Sequence, residues 1–257
     1  EVGSNDGTLL QELRNLGVNS VGVEPSSSLV KESIEKGLLV YCSYFDDNFI
    51  KLFLEKHGKV ALVVGNNVFA HIENLKSAFL NVYKILTSNG IFIFEVAHLK
   101  NILTDGIFDT IYHEHMSYHS IYALNKFSQL TGFKLFKVEK IQSHGGSLRV
   151  FLSKNLDQKM DPSVNDYLNE EIGLKLNSRA LLLKLEENIS KLKLLTQKLI
   201  QSEKAKKEVK FIGYGAPAKV VTFMAQMELE NLDFVGIIED NDLKQDKFRS
   251  EEHTSEL

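Results

Sequence analysis

Over the first hundred residues, short apolar runs rich in Val, Ile and Phe alternate with stretches whose apolar residues recur every three or four positions. That alternation marks parallel strand-helix-strand units. It predicts a strand end at Glu1-Val2, helices over 8–16, 27–36, 46–57 and 72–86, and strands over 20–24, 39–42, 60–65 and 90–96. Pro25 closes the second strand, because proline has no N–H to give to a ladder. Residues 97–121 break the pattern, are rich in His and Tyr, and are predicted to be irregular. A helix over 123–131 follows, then strands over 133–141 and 147–152 joined by His144-Gly145-Gly146, a hairpin turn.

A different pattern begins at Asp161-Pro162, where Asp suits the helix N-cap and Pro the first helical position. From there to about residue 206 the chain is rich in Leu and Lys, and Leu182, Leu185, Ile189, Leu192, Leu195 and Leu199 fall on one helix face. The stripe is too short for a sustained heptad seam and is predicted to pack against neighbouring structure. A second α/β start follows: a strand over 209–212, the turn Gly213-Tyr214-Gly215, a helix over 218–227 and a strand over 234–238. This organisation predicts a domain over 1–155, a helical connector over 156–206 and a partial Rossmann-like unit over 207–248. The chain opens inside a strand, so most of that strand is expected upstream. Residues 249–257 have no periodicity, resemble the translation of a sequencing-library adapter, and are set aside from the fold.

Composition narrows the class. With 257 residues, 43% hydrophobic, 25% charged and three prolines, the chain can bury a sizeable core and is not dominated by disorder. Its formal charge of -4 gives no electrostatic reason to expect nucleic acid or an anionic membrane. Setting aside 249–257, with its one basic and three acidic residues, brings the remainder nearer -2. The single cysteine, Cys42, excludes an internal disulfide and a cysteine-rich zinc site. There is no apolar run of about 18 residues and no secretory signal pattern, so a reducing, cytoplasmic location is expected.

Five segments carry candidate chemistry. Glu1-Val2-Gly3-Ser4-Asn5-Asp6-Gly7 leads from a strand into a helix, with glycines placed for a sharp turn and close backbone approach. Its acidic strand tip suits a ligand bearing a positive amino group rather than a pyrophosphate. Glu24 ends the second strand about 20 residues later, the position that holds ribose hydroxyls in nucleotide-binding α/β folds. Asn66-Asn67 follows the fourth strand, so all three lie at carboxyl ends of strands, where open parallel sheets bind ligands. Asp109-Thr110-Ile111-Tyr112-His113-Glu114-His115 concentrates polar and titratable groups suited to proton transfer. His113, His115 and His119 with Glu114 could instead hold a metal or form a solvated loop, although the helical His-Glu-x-x-His spacing is missing. His71 is ambiguous by itself. Gly213-Tyr214-Gly215-Ala216-Pro217-Ala218-Lys219 could hold a phosphate or be a structural turn.

Taken together, these segments, with Val23-Glu24-Pro25-Ser26, Asn67-Val68-Phe69-Ala70-His71 and His144-Gly145-Gly146-Ser147-Leu148-Arg149, resemble the S-adenosylmethionine-dependent sugar C-methyltransferases. That family methylates C-3 of dTDP-linked 4-keto deoxy sugars. The resemblance implies a seven-stranded class I methyltransferase Rossmann-like sheet, a helical connector and a second, truncated Rossmann-like C-terminal domain. It places S-adenosylmethionine against Glu1, Gly3, Asn5 and Gly7, with Glu24 on its ribose and Asn66 and Asn67 beside its methionine portion. C-3 becomes nucleophilic only when a base removes its proton and the C-4 carbonyl takes the charge as an enolate, so a base and an oxyanion stabiliser must face one carbon.

By the same resemblance Tyr112, Glu114, His115 and His71 are the catalytic cluster. His115 is the base and Glu114 orients it or shares the proton; Tyr112 and His71 stand near the enolate. His71 is the alternative base, and His113 is structural. Arg149, Gly215 and Lys219 would bind the nucleotide-linked sugar. No metal is implied here; zinc belongs to a cysteine-bearing N-terminal domain that family members usually carry and to which nothing in this chain corresponds. That domain also contributes an active-site tyrosine, so the chain alone is expected to be incomplete as an enzyme. A nicotinamide-dependent sugar-nucleotide oxidoreductase and a noncatalytic sugar-nucleotide-binding protein are the competing readings. The second glycine turn lacks the third glycine of a dinucleotide fingerprint, and a binding protein has no use for Tyr112, Glu114 and His115 together. Oligomeric state is not legible.

Overall fold

The computed structural model describes residues 1–142, 145–206, 209–229 and 234–240. Along the chain run α1 (Thr8–Asn15), β1 (Gly22–Glu24), α2 (Ser27–Glu35), β2 (Val40–Cys42), α3 (Asp47–His57), β3 (Val60–Asn66), α4 (Leu75–Ile85) and β4 (Leu86–Ala97). Then come α5 (Leu99–Asp105), a 3-10 turn (Phe108–Thr110), α6 (Ile121–Leu130), β5 (Lys134–Ile141), β6 (Ser147–Ser153), α7 (Pro162–Gly173), α8 (Arg179–Lys206), β7 (Phe211–Tyr214), α9 (Val220–Met227) and β8 (Phe234–Ile238). Two compact units emerge: Glu1–Leu99 with Met116–Leu176, and Lys100–His115 with Asn177–Leu257.

In the first unit β1 and β2 pair in parallel, while β3, β4, β6 and β5 form a four-stranded sheet in that order. Residues 1–3 join the two sheets. Val2 donates its N–H to Val64 O at 2.8 Å, while Val23 donates to Glu1 O at 3.0 Å and Gly3 to Val23 O at 2.9 Å. Counting that segment as a strand, the order across the sheet is β2, β1, residues 1–3, β3, β4, β6, β5. Only β6 is antiparallel to its neighbours. This is the class I methyltransferase arrangement, with the seven positions that the resemblance implied.

The alternation of the strands decides where the core lies. Phe92, Phe94 and Val96 of β4 point to the same face as Leu152, Val150 and Leu148, their register partners on β6, and all are at most 1% exposed. Phe79 and Val82 of α4, Phe49 and Phe53 of α3, and Ile121 and Leu124 of α6 cover that face. Phe69 and Phe79 meet Phe92 edge-on at centroid distances of 4.9 and 5.2 Å, the arrangement favoured by the ring quadrupole. A separate small cluster of Leu10, Val30, Leu38 and Val40 holds α1 and α2 on β2.

Three elements differ from expectation for identifiable reasons. Helix α4 starts at Leu75 rather than 72, because Asn74 caps it by accepting the Ser77 N–H at 3.0 Å, which leaves His71 in the preceding loop. The span 97–121 holds a short helix and a 3-10 turn; Asn101, Ile102 and Leu103 of α5 are buried despite the polar surroundings that hid the helix. The region from 162 to 206 divides into two helices, with Lys175 in a left-handed backbone conformation (φ 51°) between them. Helix α7 packs in the first unit through Val164, Tyr167 and Leu168, and α8 falls in the second. On α8 Leu185 is buried, whereas Leu182, Leu192, Leu195 and Leu199 of the expected stripe are exposed. His144 of the hairpin turn and residues 249–257 lie outside the described residues; the strands flanking the turn do pair antiparallel.

Glu171 shows why α7 belongs with the first unit. Its carboxylate, 2% exposed, accepts from the Ile121 and Tyr122 N–H groups at 2.7 and 2.8 Å and meets His98 Nε2 at 2.8 Å. It therefore supplies acceptors to the free amides opening α6 from another helix. Burial opposes ionisation of Glu171, but the hydrogen bonds from His98, Tyr122 and Ile121 outweigh it and hold the carboxyl below its ordinary value of 4.5. Glu171→Ala is expected to cost about 3 kcal/mol, since three partners lose their acceptor. A group whose folded pKa is depressed contributes fully above its unfolded value and loses that contribution as pH falls through the folded one. Urea titrations should accordingly show the gap between wild type and variant closing in acid.

Candidate active site

The first glycine turn is built by backbone geometry. Gly3 has φ 66° and Gly7 φ 80°, conformations an L-residue adopts with strain, and a Cβ on Gly3 would approach Val68 Cγ2 to 2.8 Å. Gly3 is thus required by its own turn and by the neighbouring loop. Asn5, also left-handed at φ 50°, aims its N–H at Glu24 Oε2 at 3.1 Å, and Glu24 Oε1 accepts the Ser26 N–H at 3.0 Å. The Glu24 carboxylate thereby ties the first turn to the second, and each oxygen keeps acceptor capacity for a hydroxyl. Asp6 opens α1 by accepting from Thr8 N and Thr8 Oγ1 at 3.1 and 2.8 Å.

On the neighbouring strand, Asn66 pairs in register with Glu95, and Asn67, at φ 54°, donates its N–H to Glu95 O at 3.0 Å. Glu95 in turn holds Arg149 through Oε1, 2.8 Å from Nε and 2.6 Å from Nη2. Arg149, expected on the substrate, is thus engaged by an acid at the end of β4. His71 follows Ala70, whose carbonyl accepts from both Met116 and Ser117 at 2.8 and 3.2 Å.

S-adenosylmethionine, the cofactor this fold implies, can be tested against these residues. Glu1 Oε2 is buried without a hydrogen-bond partner among the protein atoms, the condition of an acceptor that awaits a donor. Burial pushes the Glu1 carboxyl up to about 7, and the nearby Asp6 reinforces the shift. A cationic amino group would suit such a site, and the Glu24 carboxylate keeps lone pairs of the kind that ribose hydroxyls would need. Glu1, Gly3, Asn5, Gly7, Glu24, Asn66 and Asn67 all belong to the first unit and gather at carboxyl ends of its strands.

Tyr112, Glu114 and His115 belong to the second unit. His115 Nδ1 lies 2.8 Å from Thr110 O, and its Nε2 lies 3.1 Å from the Tyr112 hydroxyl. A carbonyl only accepts, so Nδ1 carries a proton, and in the neutral form of the ring Nε2 turns its lone pair towards the Tyr112 hydroxyl. The two rings lie 4.3 Å apart between centroids. The Glu114 carboxylate is 3.9 Å from His113 Nε2, and both side chains are exposed. His119 belongs to the first unit; burial pushes its pKa down to about 4, and its Nε2 lies 3.0 Å from Ser117 Oγ. Among the described residues no group of three or more His, Cys, Asp or Glu side chains has the geometry to hold a metal ion.

At the second glycine turn β7 and β8 pair in parallel, and Gly215 at φ 81° donates to Ile238 O at 2.8 Å. Glu239 Oε2 accepts the Ala216 N–H at 2.7 Å, and the Tyr214 hydroxyl donates to Asp240 Oδ2 at 2.6 Å. Glu239 follows a strand after a glycine turn just as Glu24 does, and that shared position is the signal that marks it in the sequence. Lys219, expected on a phosphate, meets Asp109 at 3.0 Å.

With this geometry, residues 1–138 match the model of the methyltransferase domain family, and the chain belongs to that family. Residues 142–255 match the C-methyltransferase C-terminal domain. C-methyltransferase NovU of Streptomyces niveus is 29% identical over 248 residues, covering 96% of this chain and 59% of that protein. The chain therefore spans about three fifths of that curated relative. Similar solved structures include a SAM-dependent methyltransferase from Archaeoglobus fulgidus, with 16% identity, TM-score 0.48 and coverage of 60% of this chain and 84% of that one. Another is magnesium protoporphyrin IX methyltransferase from Synechocystis with bound SAH, at 15% identity and TM-score 0.47, covering 60% of this chain and 72% of that one.

Glu1 generates a pH signature. S-adenosylhomocysteine should bind more weakly as pH falls through about 7, because protonation removes the carboxylate that attracts its ammonium. The slope should approach about tenfold per pH unit and be abolished in Glu1→Gln. Calorimetry across that range checks it; a flat profile in the wild type excludes Glu1 from the contact.

Proposed function

We propose that the protein is the donor-binding and catalytic part of an S-adenosylmethionine-dependent C-methyltransferase acting on a nucleotide-linked 4-keto deoxy sugar, through an enolate formed by proton abstraction at C-3. The observation that carries this reading is the His115 ring, held by Thr110 O at Nδ1 and offering Nε2 as a base. Membership of the methyltransferase domain family and the match to the C-methyltransferase C-terminal domain support it.

In this mechanism Nε2 of His115 takes the C-3 proton, the C–H electron pair moves into the C-3–C-4 bond, and the carbonyl oxygen becomes the enolate. The Nδ1–H bond to Thr110 O steadies the imidazolium that forms. The Tyr112 hydroxyl, released as Nε2 gains the proton, becomes available to donate to the enolate oxygen, with His71 as a second donor. Glu114 assists the proton transfer. Glu1 would hold the donor's amino group and Glu24 its ribose; once bound, the donor's sulfonium would supply the electrophilic methyl group for C-3 and leave as the thioether. Arg149 and Gly215 are the proposed contacts to the sugar nucleotide; Lys219, expected beside them, is engaged by Asp109 instead. Among the described residues no helix is long and apolar enough to cross a membrane, and we place the enzyme in the cytoplasm.

His115→Ala should lower methyl transfer from labelled donor by about 10²-fold or more, and His71→Ala by less. Exchange of the C-3 hydrogen in heavy water, measured across a panel of 4-keto sugar nucleotides, should be lost with it. A variant that keeps full exchange removes His115 as the base and moves the role to His71.

A further inference from the structure

Helix α9 has no role in the proposed chemistry, yet it grips the segment that carries the base. Lys219, Thr222 and Phe223 stand at i, i+3 and i+4 and so share one side of the helix. Each meets a different residue of the catalytic segment. Lys219 Nζ lies 3.0 Å from Asp109 Oδ2, Thr222 Oγ1 donates to Ile111 O at 3.2 Å, and the Phe223 ring stacks on Phe108 at 6.2 Å and 21°. Phe108, Met227 and Leu229 are buried together, with Ile189 and Ile200 of α8 packed against them. Thr110 lies between Asp109 and Ile111, and its carbonyl sets the His115 tautomer.

We infer that α9 is a positioning element for His115, acting through Lys219 on Asp109 and Thr222 on Ile111 to aim the Thr110 carbonyl at Nδ1. The inference rests on the proposed role of His115 and gives Lys219 a task other than holding substrate phosphate. A carbonyl that rotates away would leave the ring free to exchange its proton between nitrogens, and the Nε2–H tautomer has no lone pair for C-3. The base would be present but partly in the wrong form. Asp109 and Thr110 touch no reacting atom in this account; they act through His115.

The test uses the full chain carrying Lys219→Ala, Lys219→Arg, Asp109→Asn, Thr222→Val and the Asp109→Asn/Lys219→Ala pair. Lys219→Ala and Asp109→Asn should each lower kcat by about tenfold to a hundredfold with both KM values within about twofold. The pair should be no worse than either single change, because it breaks one interaction. Lys219→Arg should recover most of the rate. Nitrogen-15 spectra of the histidines give a readout independent of turnover: a single Nδ1-protonated tautomer for His115 in the wild type, and a mixture in Lys219→Ala and Thr222→Val. A pure Nδ1-protonated tautomer in both variants overturns the inference. So does a Lys219→Ala variant that raises the acceptor KM at unchanged kcat, which makes Lys219 a substrate ligand. Because the chain spans 59% of its curated relative, a wild type that transfers no methyl group leaves the tautomer shift to decide the role of α9, while methyl transfer by the longer protein that contains this chain decides the functional reading.

Discussion

The first unit depends on three residues that fill the middle of a sheet. Without residues 1–3, β1 and β2 would be a free pair and the four strands from β3 onward a separate sheet. The bonds of Val2 to Val64 and of Val23 to Glu1 fuse them, and Val2 is buried at 4% exposure. Pairing at the centre of a sheet satisfies backbone groups that have no access to water, so a break there is costly on both sides. It also sets the chemistry, because the strand end that completes the sheet carries Glu1 and the turn leading from it is the one that faces Glu24. The same few atoms close the core and place the first glycine turn.

A recurring device links acids to glycine turns. Glu24 accepts the Asn5 N–H and Glu239 accepts the Ala216 N–H, in each case from the carboxyl end of the next strand. A carboxylate that accepts an amide and keeps other lone pairs fixes the turn while presenting negative charge at its mouth. Arg149 follows the opposite logic: its charge is taken up by Glu95, so what the motif offered as a cation for substrate is also a brace between β4 and β6.

Periodicity made the strand-helix order of the first unit legible, because alternation on β4 and three-four spacing on α3 and α4 directly encode burial. The segment Glu1-Val2-Gly3-Ser4-Asn5-Asp6-Gly7 was legible for a different reason: glycines with positive φ leave a spacing that survives without side-chain information. What stayed hidden was long-range. Nothing local to Glu171 marks it as the acceptor for an amide pair 50 residues away, and the Leu/Lys pattern continues smoothly through the Gly173–Lys175 turn where the helix breaks. The grouping of Lys100–His115 with the C-terminal residues, and the engagement of Asp109 by Lys219, depend on contacts across more than a hundred positions. The identity of the His115 tautomer was hidden too, since it is set by a main-chain carbonyl, which every residue has.

Cys42 gives the chain an unusual chemical simplicity. It is the only thiol, it is exposed, and it sits in register opposite Glu24 on the adjoining strand. A thiol-specific alkylating reagent therefore has one cysteine of this chain to act on, and the product is an adduct on β2. Such an adduct would stand in register with Glu24, whose carboxylate holds the Asn5 and Ser26 N–H groups, so its bulk would be felt at the first glycine turn before it reached the aromatic interior around Phe92.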